Sequence, residues 1–307
     1  MKKVLIATDK PFAPIAVKGI REVVEKAGYT LLLLEKYTAP EQLYEAVAQA
    51  DAVIIRSDLI TREVLDAGKN LKIVVRAGAG YDNVDLAAAT EKGVVVMNTP
   101  GQNSNAVAEL ALGMMVYGAR GLFSGKSGTE LKGKTIGIHA FGNVGKYVAS
   151  IAKGFGMQVC AYDPFVPKAD IEAHGVKALD SVEELYKACQ YISLHMPAND
   201  KTKKSINAAL LGLMPNDGVL VNTARKEVID EEGLIQVMET KSKFQYLTDV
   251  TPDAAEAFQT KFAGRYFTTP KKMGAQTEEA NINAGIAAAE QIRDFFEKGD
   301  VRFKVNK

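Results

Sequence analysis

Short runs rich in Val, Ile and Leu, each followed by an amphipathic stretch long enough for a helix, recur along the chain and then begin again. The first series is VLIAT, LLLL, AVIIRS, KIVVRAG and GVVVMNT; the second is TIGIHAFG, QVCAYD, YISLHMP, GVLVNTA and FQYLTDV. Apolar runs spaced by helix-length segments belong in parallel sheets covered by helices. The series are separated by FSGKSGTELKG, a loop rich in Gly, Ser and Lys, after which a second sheet begins. A chain of 307 residues also exceeds what one hydrophobic core organises, so two domains are expected, with a cleft between them as a natural binding place. The expected fold class is α/β, with two doubly wound domains built on parallel sheets.

Composition narrows the partners. Lys and Arg number 38 against 37 Asp and Glu, a balance that offers neither nucleic acid nor a membrane surface anything to attract it. The opening MKKVLIATDK has too short an apolar run for a signal peptide, and no later stretch could span a bilayer, so a cytoplasmic protein is expected. Cys160 and Cys189 have neither metal-binding nor redox spacing and read as structural. No metal site is expected. The segment AVAELALGMMVYGAR is apolar around most of a helix, as a core helix or a subunit contact would be. The segment TEEANINAGIAAAEQIRDFFEKG starts with a capping threonine and ends at Gly299, a long helix able to carry the C-terminus back to the first domain.

The chemistry begins in TIGIHAFGNVGKYVASIAKGFG, which reads strand, glycine turn, helix. Gly142 and Gly145 occupy the second and third positions of G-x-G-x-x-G, and Ala140 the first. The second glycine lets backbone amides approach a pyrophosphate, and the third allows the helix to pack closely on the strand. Alanine at the first position costs little if its φ is negative. The opening amides of the helix, at Asn143, Val144 and Gly145, then face the phosphates. Asp163 ends the next strand, where an acidic side chain accepts the ribose hydroxyls of a dinucleotide. Pro164 and Phe165 follow it, so a 2′-phosphate would meet a like charge and no cation, which favours NAD over NADP.

Further on, GVLVNTARKEVIDEEGL places Arg225 just past a strand, at the carboxyl edge where such sheets bind ligands. Its planar fork suits a carboxylate. Together with IIRSD, VVRAGAGYDNVD, VMNTPGQNSNAVAELALG, SLHMPAND and PKKMGAQTEEA, this segment resembles the D-2-hydroxyacid dehydrogenase family over essentially the whole length. RAGAGYDNVD and NTPGQNSNAVAE resemble most closely the branch acting on 3-phosphoglycerate. The resemblance implies a Rossmann-like NAD domain, residues 99–279, inserted in a flavodoxin-like substrate domain, residues 1–98 and 280–307. It implies that Ala79 and Gly80 hold the carboxylate of a small-molecule substrate through backbone amides, and that Arg56 and Arg76 face its phosphate. It also implies that His195 and Asp249 adjoin the cofactor, and that the chain is a homodimer. The chain ends at Lys307 soon after the long helical pattern, so the regulatory domain of longer relatives, with feedback by serine through it, is not expected.

Two departures from the family matter. Its glutamate falls at Ala254, and its histidine at Lys272 when the chain is counted back from Gly274, or at Lys271 when it is anchored on Pro270. None of the three histidines, His139, His174 and His195, lies in that segment. Either the site is dead or a lysine serves as acid and base. A free lysine has a pKa near ~10.4 and lowering it toward ~7 to 8 asks for roughly 3–5 kcal/mol, which burial, a nearby arginine and a positive nicotinamide could supply together. A neighbouring glutamate would oppose that shift, so losing it while gaining the lysine is consistent, and Lys272 is favoured. A subgroup of short family members carrying lysine here is similar. Two rivals stay open: a member acting on glycerate, glyoxylate or a longer 2-keto acid, and an NAD(H)-sensing protein without turnover.

Overall fold

The computed structural model describes all 307 residues, Met1–Lys307. They fold as two compact units, Met1–Asn103 with Gln276–Lys307, and Ser104–Ala275. The expected cuts, at 98/99 and 279/280, differ by a few residues. The second falls inside a helix, because Thr277 accepts the Ala280 N–H and so starts the helix Glu278–Lys298 earlier.

In the first unit, strands β1 (Lys3–Thr8), β2 (Thr30–Glu35), β3 (Ala52–Ile55), β4 (Ile73–Arg76) and β5 (Val95–Asn98) form one parallel sheet, ordered β2-β1-β3-β4-β5. This is the flavodoxin-like order. The continuous apolar runs are explained by two cores, one on each face. Val4 and Ile6 point into the first, with Ala284, Ala288 and Ile292 of the C-terminal helix, and Leu5 and Ala7 point into the second. That helix lies close against the helix Pro14–Lys26, since a Cβ on Gly19 would come within 2.7 Å of Ile286. It ends at Gly299, whose φ of 67° closes it as a left-handed cap.

In the second unit, β6 (Thr135–His139), β7 (Gln158–Tyr162), β8 (Lys177–Ala178), β9 (Tyr191–Leu194), β10 (Val219–Asn222), β11 (Gln245–Thr248) and β12 (Tyr266–Thr268) form a parallel sheet ordered β12-β11-β10-β9-β6-β7-β8. The order reverses between β6 and β9, which makes the carboxyl edge there the natural ligand crevice of a Rossmann-like fold. Two strands, β8 and β12, have only two and three residues, too short for a periodic signal in the sequence. The helix Ser104–Ala119 buries Ala108, Ala111, Leu112, Met114 and Met115 in the core and exposes Asn105, Glu109 and Gly113. No helix is long and apolar enough to cross a membrane. Cys160 and Cys189 are free and buried, and their thiols lie within hydrogen-bonding reach of each other.

Candidate functional site

After β6 the chain turns sharply at Ala140, whose φ is 78°. The condition under which alanine would cost little is therefore not met: the bend takes the left-handed conformation, and alanine adopts it at a cost of about 1–2 kcal/mol. Gly145 is required by contact, because a Cβ there would lie 2.6 Å from the Ala140 carbonyl. Gly142 caps the helix Asn143–Gly154 with no side chain bonded to its opening amides, and a Cβ on Gly142 would meet open space. The first-turn N–H groups of Asn143, Val144 and Gly145 are left to a ligand, an arrangement that fits a pyrophosphate. Asp163 is fastened beside this turn, Oδ2 accepting from Phe141 N–H at 2.8 Å and Oδ1 from Phe165 N–H at 2.8 Å. Each oxygen keeps a lone pair for a ribose hydroxyl.

On the other side of the switch point, β10 leads into Thr223, Ala224 and Arg225. Asn222 shapes that loop: its Oδ1 accepts from Ala224 N–H at 2.9 Å and its Nδ2 donates to Arg225 O at 3.0 Å. The Ala224 carbonyl then receives two cations, Arg225 Nη1 at 3.0 Å and Lys272 Nζ at 3.2 Å. The pair is 48 residues apart along the chain for Lys272 and Ala224, a juxtaposition no local pattern reveals. Lys271 presents instead its backbone oxygen, to Thr269 Oγ1 at 2.9 Å. Ala254, which stands in place of the family's glutamate, caps the helix Ala255–Lys261, and Glu231 accepts from its N–H at 2.7 Å and from Asp253 N–H at 2.9 Å. Asn222 and Glu231 had no signal in the sequence beyond polarity.

Two histidines line the same sheet edge. His139 sits at the end of β6 with Nδ1 3.2 Å from the Tyr186 hydroxyl, and burial pulls its pKa down to about 4. His195 follows β9 with Nε2 2.9 Å from Ser193 Oγ and a buried, unpartnered Nδ1; burial, and then repulsion from His139, pull it down to about 3. Both are neutral near pH ~7, where neither adds charge beside a ligand. Their linkage to stability has a definite sign. Unfolded, each binds its proton near 6.5, while the native chain refuses it until about 4 or about 3, so stability present above pH 6.5 drains as pH falls, by roughly 1.4 kcal/mol per pH unit per histidine. The urea midpoint should fall steadily from pH ~6.5 to ~4, and less steeply in a His139→Asn, His195→Asn chain; equal slopes would sink the assignment. His174 stands edge-on to Phe141.

In the first unit, the carboxyl-edge loop after β4 carries Ala77, Gly78, Ala79 and Gly80. No backbone acceptor takes the Ala79 or Gly80 amide, and the loop is braced by Asn98 Nδ2 on the Ala79 carbonyl at 2.6 Å. Arg76 folds over it, with Nε on Arg56 O at 3.1 Å; Gly78 makes room, since a Cβ there would fall 1.5 Å from Arg76 Nη1. Arg56, expected to face the phosphate, has its terminal nitrogens engaged within the first unit. Its Nη1 donates to the Lys10 and Pro11 carbonyls at 3.0 and 3.2 Å and its Nη2 to Asn281 Oδ1 at 2.8 Å, above the ring of Phe12. It ties the loop after β1 to the C-terminal helix, and would have to release those acceptors to grip a phosphate with its whole fork.

Against this geometry stand the likenesses to known proteins. Residues 113–267 match the family model described as the NAD binding domain of D-isomer specific 2-hydroxyacid dehydrogenases. The chain is 51% identical to a crystal structure of NAD+-bound 3-phosphoglycerate dehydrogenase from Entamoeba histolytica, with a TM-score of 0.85 and coverage of 100% of this chain and 99% of that one. It is 36% identical to D-3-phosphoglycerate dehydrogenase of Methanocaldococcus jannaschii over 95% of this chain, but spans only 57% of that protein's length. It is also 36% identical to hydroxypyruvate reductase of Thermotoga maritima, over 85% of this chain and 90% of the other.

Proposed function

The chain belongs to the D-isomer specific 2-hydroxyacid dehydrogenase family, and on that footing we propose that it oxidises 3-phospho-D-glycerate to 3-phosphohydroxypyruvate with NAD, with Lys272 as acid and base. The observation that carries the reading is the meeting of Arg225 and Lys272 at one carbonyl, on the sheet edge that also holds the glycine turn. NAD, bound at that turn, supplies the hydride acceptor for the 2-carbon. Asp163 accepts the ribose hydroxyls and repels a 2′-phosphate. Arg225 spends one of its donors on Ala224 O and has others to bind the substrate carboxylate and the oxygen that becomes a carbonyl. Lys272 takes the hydroxyl proton at Nζ as the carbon is oxidised. With alanine at 254, no carboxylate from that position holds the ammonium charged, which suits a lysine that must shed its proton. For the first unit taken by itself, the proposal keeps the Ala79 and Gly80 amides as donors to a carboxylate and Arg76 and Arg56 as the cations for a phosphate, Arg56 only on releasing its present acceptors.

A panel of hydroxy acids assayed by NADH absorbance tests this reading. Oxidation of 3-phosphoglycerate well above glycerate is expected. Equal use of glycerate would remove the phosphate from the proposal and favour the chemistry named for the Thermotoga relative, whereas tight NADH binding without turnover on any acid would mean a sensor. The exposed face of the helix Ser104–Ala119, with Gly113 open to close approach, is where two copies would meet as a cytoplasmic homodimer, a state sedimentation velocity reads directly.

A further inference from the structure

Asp249 follows β11 and is 1% exposed. A carboxylate so buried needs donors on both oxygens. Those it has come from the segment that carries Lys272: Oδ1 accepts from Met273 N–H at 2.8 Å and shares with Lys271 O the one hydroxyl hydrogen of Thr269, whose Oγ1 is 2.9 Å from each, and Oδ2 accepts from Gly274 N–H at 2.7 Å. Gly274 must lack a side chain here, because a Cβ would lie 2.9 Å from Asp249 Oδ2. The backbone of Asp249 is tied as well, its N–H donating to Asn222 O at 3.0 Å. Asn222 is the residue that shapes the Arg225 loop. One buried residue thus connects the two loops whose cations meet at Ala224 O. The segment 269–274 lies beyond β12 and before the C-terminal helix, outside any strand or helix, so the bonds to Asp249 replace the regular backbone ladder that would otherwise hold it.

We propose that Asp249 is a positioning residue for Lys272: by gripping the Met273 and Gly274 amides it delivers the preceding ammonium to the Arg225 loop. The inference rests on the reading of Lys272 as acid and base. Asp249→Asn keeps the shape but turns an NH2 group toward one of the donors. With the full chain, kcat should fall by about 10²-fold, the size of a misplacement near 1 Å. Hydrogen exchange at the Met273 and Gly274 amides should accelerate, and in a Lys272→Ala background the same substitution should cost almost no further rate. Equal losses in both backgrounds, or unchanged exchange at the Met273 and Gly274 amides, would overturn the proposal. Thr269→Val removes a single donor and serves if the asparagine variant does not fold; faster amide exchange with lower kcat supports the clamp, and no change in either refutes it. Full turnover by Lys272→Ala would instead remove the reading of the lysine, while amide exchange still reports whether Asp249 holds the loop.

Discussion

Lys272→Ala is expected to lower kcat by about 10²–10⁴-fold, the usual contribution of a positioned acid or base. On the proposed reading the loss should fall on kcat rather than on KM, because the proton would move only in the transition state and the substrate's anionic groups would be bound by other residues. Lys271→Ala is the matched control. Lys272 Nζ reaches Ala224 O, whereas Lys271 is placed through its carbonyl by Thr269, so removing the Lys271 side chain should leave turnover close to wild type. The reverse pattern, full activity without Lys272 and none without Lys271, would move the base by one residue.

The second large effect belongs to Arg225. Arg225→Lys keeps the charge and discards the fork, and kcat/KM should drop by about 10²–10³-fold, comparable to losing a preorganised donor at a developing charge. On the proposed role, in which the same guanidinium would bind the carboxylate in the ground state and the reacting oxygen in the transition state, kcat and KM should both suffer. Arg225→Ala should be worse still, because the buried Ala224 carbonyl also loses one of its two cationic donors. A lysine variant with wild-type kcat/KM would mean that the fork is not used.

Much of this was open to a reader of the sequence alone. The alternation of apolar runs and amphipathic segments required parallel sheets, and the two cores on either face of each sheet explain why the runs show no polar alternation. The glycine turn, Asp163 and Arg225 were visible because each follows directly after a strand, where local order along the chain predicts local order in space. The missing glutamate and histidine were visible by position in the family's motifs. Other features were hidden. The φ of Ala140 is decided by how tightly the chain must bend between β6 and its helix. Arg56 and Arg76 looked alike as residues at strand ends, and differ because Arg56 reaches across to the Lys10 and Pro11 carbonyls and to Asn281, while Arg76 folds over Gly78 onto the Arg56 and Ala77 carbonyls.

The sequence by itself determined the architecture and the residue types available for chemistry, since periodicity and strand-end position are properties of neighbours in the chain. Only the tertiary structure decided which lysine meets Arg225 and what holds it there. Those bonds join residues 20 to 48 positions apart, and hydrogen bonds at such separations depend on how strands and loops are brought together in the fold, which no local spacing encodes.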